Sequence, residues 1–173
     1  MNPEFSRRER LDTIGERGRT VTIAADADER AAVARRFGLV SIARLEATLA
    51  VRREAGSVFA QGQVSGDVVQ ACSVTGEPLP VTIDEPVSLR FVEEFETEAD
   101  EIELSEDVLD TMLIEGGAID LGEAAAETLA LALDPFPRGP NAADVLAAAG
   151  VVAEEDFQPA NAFAGLKAKM AGK

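Results

Sequence analysis

Carboxylates and guanidinium groups are the side chains of this chain that could do chemistry, and they occupy different regions of it. Residues 91–137 hold 15 acidic side chains and no Lys or Arg, which accounts for nearly all of the formal net charge of −16. Residues 1–53 hold 11 Arg against eight acids. A negative overall field repels phosphate and favours cationic partners, so we expect the acidic region to bind a basic molecule.

The densest run of carboxylates is the acidic segment, residues 93–110, in which few apolar side chains interrupt the charges. We interpret it as a solvated loop, and we expect it to hold a basic protein because opposite charges attract across an interface. The candidate protein-binding residues are Glu93, Glu94, Glu96, Glu98, Asp100, Glu101 and Glu103.

The first 19 residues offer an alternative, which is direct binding of RNA. They contain five Arg among few apolar side chains, and guanidinium groups pair with phosphates. Such a patch would work against the negative field of the whole protein. The candidate RNA-binding residues are Arg7, Arg8, Arg10, Arg17 and Arg19.

The composition excludes the commonest catalytic arrangements. The chain has no His, which removes Ser-His-Asp and Cys-His nucleophile activation and the commonest general base. One Cys and no His leave no tetrahedral zinc site of the usual kind, and no Walker loop, GxGxxG or EF-hand spacing occurs. We therefore predict no catalytic residue, no metal site and no cofactor. An enzyme that uses only carboxylates stays open as an alternative, as does loose binding of Mg²⁺ or Ca²⁺.

The lone Cys72 and the two chain ends indicate the compartment. A single cysteine cannot form an intrachain disulfide. We interpret Cys72 as a small buried side chain in a strand, with nothing basic or helical nearby that would lower its pKa. No apolar run is long enough to span a bilayer, and the N-terminus lacks the apolar core of a secretory signal. We expect a soluble cytoplasmic protein with no membrane or DNA partner.

Alternating apolar residues predict a sheet in the first half of the chain, with one buried and one wet face. Residues 65–67, Ser-Gly-Asp, are predicted to form a turn within it. Pro86 predicts a bulge or an edge position, because proline cannot donate to a neighbouring strand. Short turns favour an antiparallel β-meander. The predicted strands are residues 20–24, 45–51, 58–64, 68–72 and 81–91.

The stretch Gly116–Arg138 predicts a short strand, a capped helix and a proline stop. Asp120 followed by Glu123 is a capping-box pattern. The Asp120 side chain can accept from free amides of the first helical turn, and the Glu123 side chain can accept from the Asp120 amide. Apolar residues then recur every four positions, and Asp134-Pro135 ends the helix. We predict an α+β fold whose meander is covered by one or two helices, residues 121–133 and residues 26–37.

The composition divides the chain into three parts. Residues 1–19 are an irregular Arg-rich N-terminal arm, residues 20–138 are a single α+β domain, and residues 139–173 are an Ala/Gly-rich C-terminal extension with a weakly ordered tail. The apolar side chains that could hold the arm are Phe5, Leu11 and Ile14.

Several short motifs in order carry a resemblance to a known family. They are Cys72-Ser-Val-Thr-Gly-Glu-Pro78, Ile119-Asp-Leu-Gly-Glu123 and Leu131-Ala-Leu-Asp-Pro-Phe-Pro-Arg138, together with the opening Pro3-Glu-Phe-Ser6 and the closing Asn161-Ala-Phe-Ala-Gly-Leu-Lys167. With these the chain resembles the YceD family of large ribosomal RNA subunit accumulation proteins, in its alphaproteobacterial branch.

The resemblance implies a ribosome-biogenesis factor rather than a catalyst. The implied partner is a large-subunit ribosomal protein or a pre-ribosomal particle, and ribosomal RNA is the alternative partner. Many relatives carry a Cys-x-x-Cys pair at the turn of Cys72, whereas this chain has Thr75 at the second position. If a metal matters elsewhere in the family, the resemblance implies that this member has lost it.

Overall fold

The structure is a computed structural model that describes residues 3–93, 110–114 and 116–151. These residues form an α+β fold, as the sequence predicts. The strands are β1 (Arg8–Arg10), β2 (Arg19–Ala24), β3 (Ser41–Glu54), β4 (Ser57–Ala71), β5 (Pro78–Val92), β6 (Asp110–Leu113) and β7 (Ala118–Asp120). The helices are α1 (Ala27–Arg36), α2 (Leu121–Leu131), α3 (Ala142–Ala148) and the 3₁₀ turn Leu11–Thr13.

The main sheet has the order β2-β3-β4-β5-β6, and its first four strands pair antiparallel. This confirms the predicted meander. β6 adds to β5 in parallel, over Leu89–Val92 of β5 only. A second, two-stranded sheet joins β1 to β7 in antiparallel register.

The predicted turn at residues 65–67 is wrong, because β4 runs through it as one strand of 15 residues. Gly66 serves the packing of a helix instead. A Cβ on Gly66 would lie 2.5 Å from Cδ1 of Leu129, so only glycine lets α2 approach the sheet this closely. Ser65 donates to Asp84 on the neighbouring strand, which satisfies its hydroxyl within the sheet.

Pro86 occupies an edge position, which confirms one of its two predicted roles. It pairs with Gln63 of β4 on one side. On its other side, within the described part of the chain, β6 reaches only the last four residues of β5. The register shift that does occur lies elsewhere, between Ile42 and Arg44 of β3.

Both predicted helices cover the same face of the sheet and contribute to one core. Val33 and Ala34 of α1 are buried, as are Leu121 and Leu129 of α2. The opposite face is polar, and the exposed Thr22 and Thr48 share a hydrogen bond there. The sheet is therefore half-buried, as the alternating sequence predicts.

The two helices begin at aspartate caps, but only one cap is a full capping box. Asp26 accepts from the amides of Asp28 and Glu29, and Glu29 accepts from the amide of Asp26. Asp120 caps α2 as predicted.

The second half of the predicted capping box of α2, in which Glu123 accepts from the Asp120 amide, is wrong. The Glu123 carboxylate accepts from Arg36 instead, because α1 brings a guanidinium within 2.7 Å. The helix ends at Leu131, two residues earlier than expected, although Leu133 still packs against the core.

The N-terminal arm is built into the fold and is not irregular throughout. Residues 8–10 form β1 and residues 11–13 form the 3₁₀ turn. Phe5 is 0% exposed and Ile14 is also buried, as expected of apolar anchors. A Cβ on Gly122 would lie 2.6 Å from the carbonyl oxygen of Phe5, so the arm lies directly against the first turn of α2.

The division into three parts stays a prediction, and the C-terminal tail, residues 152–173, lies outside the described residues. In the part of the chain that the structure describes, no helix is both long enough and apolar enough to cross a membrane.

Candidate functional site

The acidic segment is described only at its two ends. Glu93 follows β5 directly and is exposed, and Asp110 is the exposed first residue of β6. The β5–β6 pairing is parallel, with Leu89 opposite Asp110, so the segment starts and finishes on neighbouring strands. The other candidate protein-binding residues, Glu94, Glu96, Glu98, Asp100, Glu101 and Glu103, lie outside the described residues.

Arg7, one of the candidate RNA-binding residues, is half-buried and bonded to several groups of the fold. Its guanidinium donates to both oxygens of Glu29, at 2.6 and 2.8 Å, and to the carbonyl oxygens of Ser6 and Ala24. It also lies over the ring of Phe5, 4.7 Å from the ring centroid. The Arg7 hydrogen bonds hold the pKa of Glu29 below its usual value.

Asp120 connects the arm to α2. Besides capping the helix, its carboxylate accepts from the Arg7 amide at 2.8 Å and from the Ser6 hydroxyl. One carboxylate thus satisfies donors from two chain segments more than 110 residues apart. These hydrogen bonds attach the arm to the first turn of α2.

The other four candidate arginines have different surroundings. Arg19 forms an ion pair with Glu9, and Arg10 donates to both oxygens of Asp12. Arg17 is exposed, and no carboxylate of the described residues pairs with it. Arg8 and Arg10 lie together at the wall of a cleft.

That cleft, the arginine cleft, has a volume of about 790 Å³ and runs between β1, the 3₁₀ turn, the end of β3 and the turn before β7. Among the described residues, Arg8, Arg10 and Arg53 line it together with one acidic side chain, Asp12. Gly116 and Gly117 form its far wall and both have positive φ, at 59° and 70°. A Cβ on Gly116 would lie 3.3 Å from Nη2 of Arg8, so glycine leaves room for that guanidinium.

Arg53 was not predicted from the sequence, although a signal for it exists. The odd-numbered residues of β3 from Leu45 to Val51 point into the core. Arg53 is the next odd-numbered residue after Val51. Its side chain is therefore expected on the face of the sheet that the helices cover. It makes no ion pair within the described residues.

The structure confirms that Cys72 is buried and corrects its predicted location. Cys72 is buried, with 3% exposure, but it lies just after β4 and not within a strand. Its sulfur accepts hydrogen bonds from the amides of Gly139 and Thr75, at 3.3 and 3.4 Å. These donors lower the pKa of the thiol to about 6. The prediction from the sequence concerned only basic or helical neighbours as a cause and did not include amide donors from two loops.

A second cleft, of about 320 Å³, lies between the ends of α1, β4 and α2. Phe37, Leu39 and Leu133 line it, and Asp134 is the one acidic side chain among the described residues of its lining. Within residues 3–93, 110–114 and 116–151, no group of three metal-ligating side chains comes together.

The sequence comparison decides the family. The family model described as "Large ribosomal RNA subunit accumulation protein YceD" matches residues 60–168, more than half of the chain. The chain belongs to the YceD family. No curated protein and no solved structure matches it. The family match covers β4, β5 and α2 and begins after the arginines of the arm and β3, so the arginine cleft lies mostly outside it.

Proposed function

We propose that this protein is a non-enzymatic cytoplasmic factor for assembly of the large ribosomal subunit. It supports accumulation of large-subunit ribosomal RNA by holding a basic ribosomal protein, alone or in a pre-ribosomal particle, on its acidic segment. The description of the family supports a role in accumulation of large-subunit ribosomal RNA. The observation that carries the mechanism is the block of 15 acids without a Lys or Arg in residues 91–137.

The placement of the segment ends supports this role. β5 and β6 belong to the main sheet, whose inner face is the core, so Glu93 and Asp110 are attached to a rigid support. A partner that is held between two neighbouring strand ends meets a high local density of carboxylates. Such contacts raise association rates and weaken as salt screens the charges.

The test replaces Glu93, Glu94, Glu96 and Glu98 with Gln and measures binding of the basic proteins extracted from large ribosomal subunits, after RNase treatment. We expect binding to fall and the remaining binding to depend less on salt, because four charges are gone. The matched control changes four exposed acids elsewhere to amides: Glu16, Asp28, Glu85 and Asp144.

The control separates a local site from the general charge of the protein. Both variants lose four negative charges, so equal weakening would mean that only the net charge matters. Unchanged binding in the segment variant would remove the acidic segment from the mechanism.

Direct RNA binding is a second candidate function, and the arginine cleft favours it. Of the five arginines predicted for it, Arg7 and Arg19 are engaged by Glu29 and Glu9. Deleting residues 1–19 would not test this function, because the deletion also removes the buried Phe5. Point substitutions that leave the fold intact are needed.

A further inference from the structure

We propose that the arginine cleft binds the phosphate backbone of single-stranded RNA, with Arg53 as its principal contact. This inference rests on the second candidate function and is independent of the acidic segment. It replaces the five-arginine arm with a smaller site that the folded chain assembles from β1, the 3₁₀ turn and β3.

The local charge of the cleft differs in sign from the charge of the whole protein. Of the described residues, three with a guanidinium group and one with a carboxylate line it, whereas the chain carries a formal net charge of −16. At physiological ionic strength the Debye length is about 8 Å, so a bound phosphate responds mainly to charges within the cleft. A concave wall of like charges also concentrates the field.

Arg53 provides the least encumbered cation. Its backbone amide donates to Gly15, which fixes the end of β3 against the turn before β2. Its side chain is half-buried and has no carboxylate partner in the described ranges, so no described acid competes with a phosphate for it. A guanidinium group can bind two phosphate oxygens at once.

Arg10 can join Arg53 at low cost. Its ion pair with Asp12 is open to water, since the two side chains are 75% and 61% exposed. Such surface pairs contribute about 0.2–1 kcal/mol. A phosphate can therefore displace Asp12 from Arg10 with little loss of stability, and Asp12 acts as an internal competitor for the site.

The residues that line the cleft also determine which part of an RNA it can recognise. Its remaining side chains include Leu11 and Ala118, and none of the lining residues in the described part of the chain is aromatic or carries a side-chain amide. Stacking on aromatic rings and hydrogen bonds to base edges are the usual means of sequence recognition in RNA. The cleft therefore contacts the backbone and does not distinguish bases.

The experiment measures fluorescence anisotropy of labelled single-stranded decamers of uridine and of adenosine, at several salt concentrations. Arg53→Gln should weaken binding about fivefold and reduce the log–log salt slope by about 0.7, which corresponds to one lost phosphate contact on a single strand. Arg35→Gln is the matched control, because Arg35 is exposed on α1 and removes the same charge away from the cleft.

A gain-of-function variant makes the test sharper. Asp12→Asn releases Arg10 and should strengthen binding about threefold. Glu16→Gln removes the same negative charge from the neighbouring exposed turn without releasing an arginine, and should change binding less. The two decamers should bind with equal affinity.

The possible outcomes separate the site from the function. If the wild-type protein binds neither decamer in 50 mM salt, direct RNA binding and the inference both fail. If it binds RNA and Arg53→Gln has no larger effect than Arg35→Gln, RNA binding stands but this site is wrong. If inorganic pyrophosphate displaces RNA and itself binds more tightly, the ligand is a small phosphate compound and the RNA assignment is overturned.

Discussion

Two sets of arginines in the same chain have opposite surroundings. Arg7 and Arg36 each meet carboxylates from distant elements and become part of the fold. Arg53 and Arg10 line a cleft, where the first has no acidic partner within the described chain and the second has only the exposed Asp12. The comparison teaches that the number of arginines in a segment does not show how many of them are available to a ligand, because the folded chain pairs some of them with carboxylates.

Arg36 shows how completely a cation can be used by the fold. It donates to both oxygens of Glu123 at 2.8 and 2.7 Å and to Glu4 at 3.1 Å, and its guanidinium lies over the ring of Phe37. These contacts join the arm, α1 and α2 at one point. The carboxylates raise the pKa of Arg36 further above its usual value, so it stays charged throughout.

The largest expected effect on stability comes from a substitution of Asp120, which accepts from the Arg7 amide. Asp120→Ala should lower the free energy of unfolding by about 3 kcal/mol, because it removes a helix cap and leaves the Arg7 amide and Ser6 hydroxyl without their acceptor. Urea unfolding measures the change. The control is Asp26→Ala at the cap of α1, where loss of the cap alone should cost about 1 kcal/mol.

Equal losses in the two variants would contradict the role of Asp120 as the connection between arm and helix. Asp120→Asn provides a further check. It keeps an oxygen acceptor, so it should recover part of the stability that Asp120→Ala loses.

The next effect tests Arg36 against its neighbour. Arg36→Ala should cost about 1–2 kcal/mol, because it leaves Glu123 and Glu4 without their guanidinium partner at a partly buried junction. Arg35→Ala changes the same charge in the same helix turn, but Arg35 is exposed and should cost less than about 0.5 kcal/mol. Thermal melts of the two variants compare them directly, and similar melting temperatures would mean that Arg36 acts only through its charge at the helix end.

Local patterns were sufficient to predict much of the fold. The period of two predicted the long strands, and Asp120 predicted the start of α2, because these signals are contained within a few neighbouring residues. For α1 the sequence left Asp26 and Asp28 as alternative caps, and the structure has Asp26. The error at residues 65–67 has a nonlocal cause. Gly66 looks like a turn residue until Leu129, 63 positions later, is found above it.

The candidate site depended on such long-range contacts almost entirely. Nothing near Arg7 in the sequence indicates that Glu29 will engage it, and nothing near Cys72 indicates the amide of Gly139. Arg53 could have been found from the phase of its strand, but its neighbours Arg8 and Gly116 come from other elements. Spacing along the sequence identifies candidate residue types, whereas the tertiary fold determines which partners their side chains meet.

The dependence of stability on acid pH tests the paired arginines through Glu29, the partner of Arg7. Hydrogen bonds from Arg7 hold its pKa below the ordinary 4.5, so the unfolded chain takes up the proton first as pH falls. The pair therefore stabilises the fold fully above about pH 4.5 and loses its effect as pH falls through the lower folded pKa. Glu29→Gln should be less stable than wild type at pH 7 and lose stability less steeply below pH 4.5.

Urea midpoints measured from pH 7 to pH 3 give both slopes. Gln keeps an acceptor for the Asp26 amide, so the change reports mainly on the ion pair. Asp28→Asn, an exposed neighbour in the same helix turn, is the control. Parallel curves for Glu29→Gln and wild type would show that the Arg7–Glu29 pair does not contribute to acid sensitivity.

The smallest expected effect tests the open side of the comparison. Arg53→Gln keeps most of the aliphatic stem and removes a charge that has no carboxylate partner in the described structure, so stability should change by less than about 0.5 kcal/mol. Arg7→Gln removes the same charge from a guanidinium bonded to Glu29 and two carbonyl oxygens, and should cost more than 1 kcal/mol by the usual worth of hydrogen bonds to charged groups, about 1.5–3 kcal/mol each. Urea unfolding of the two variants measures the difference. Equal losses would mean that Arg53 also holds the fold together, and a stability-neutral Arg53 would leave its charge available for a ligand.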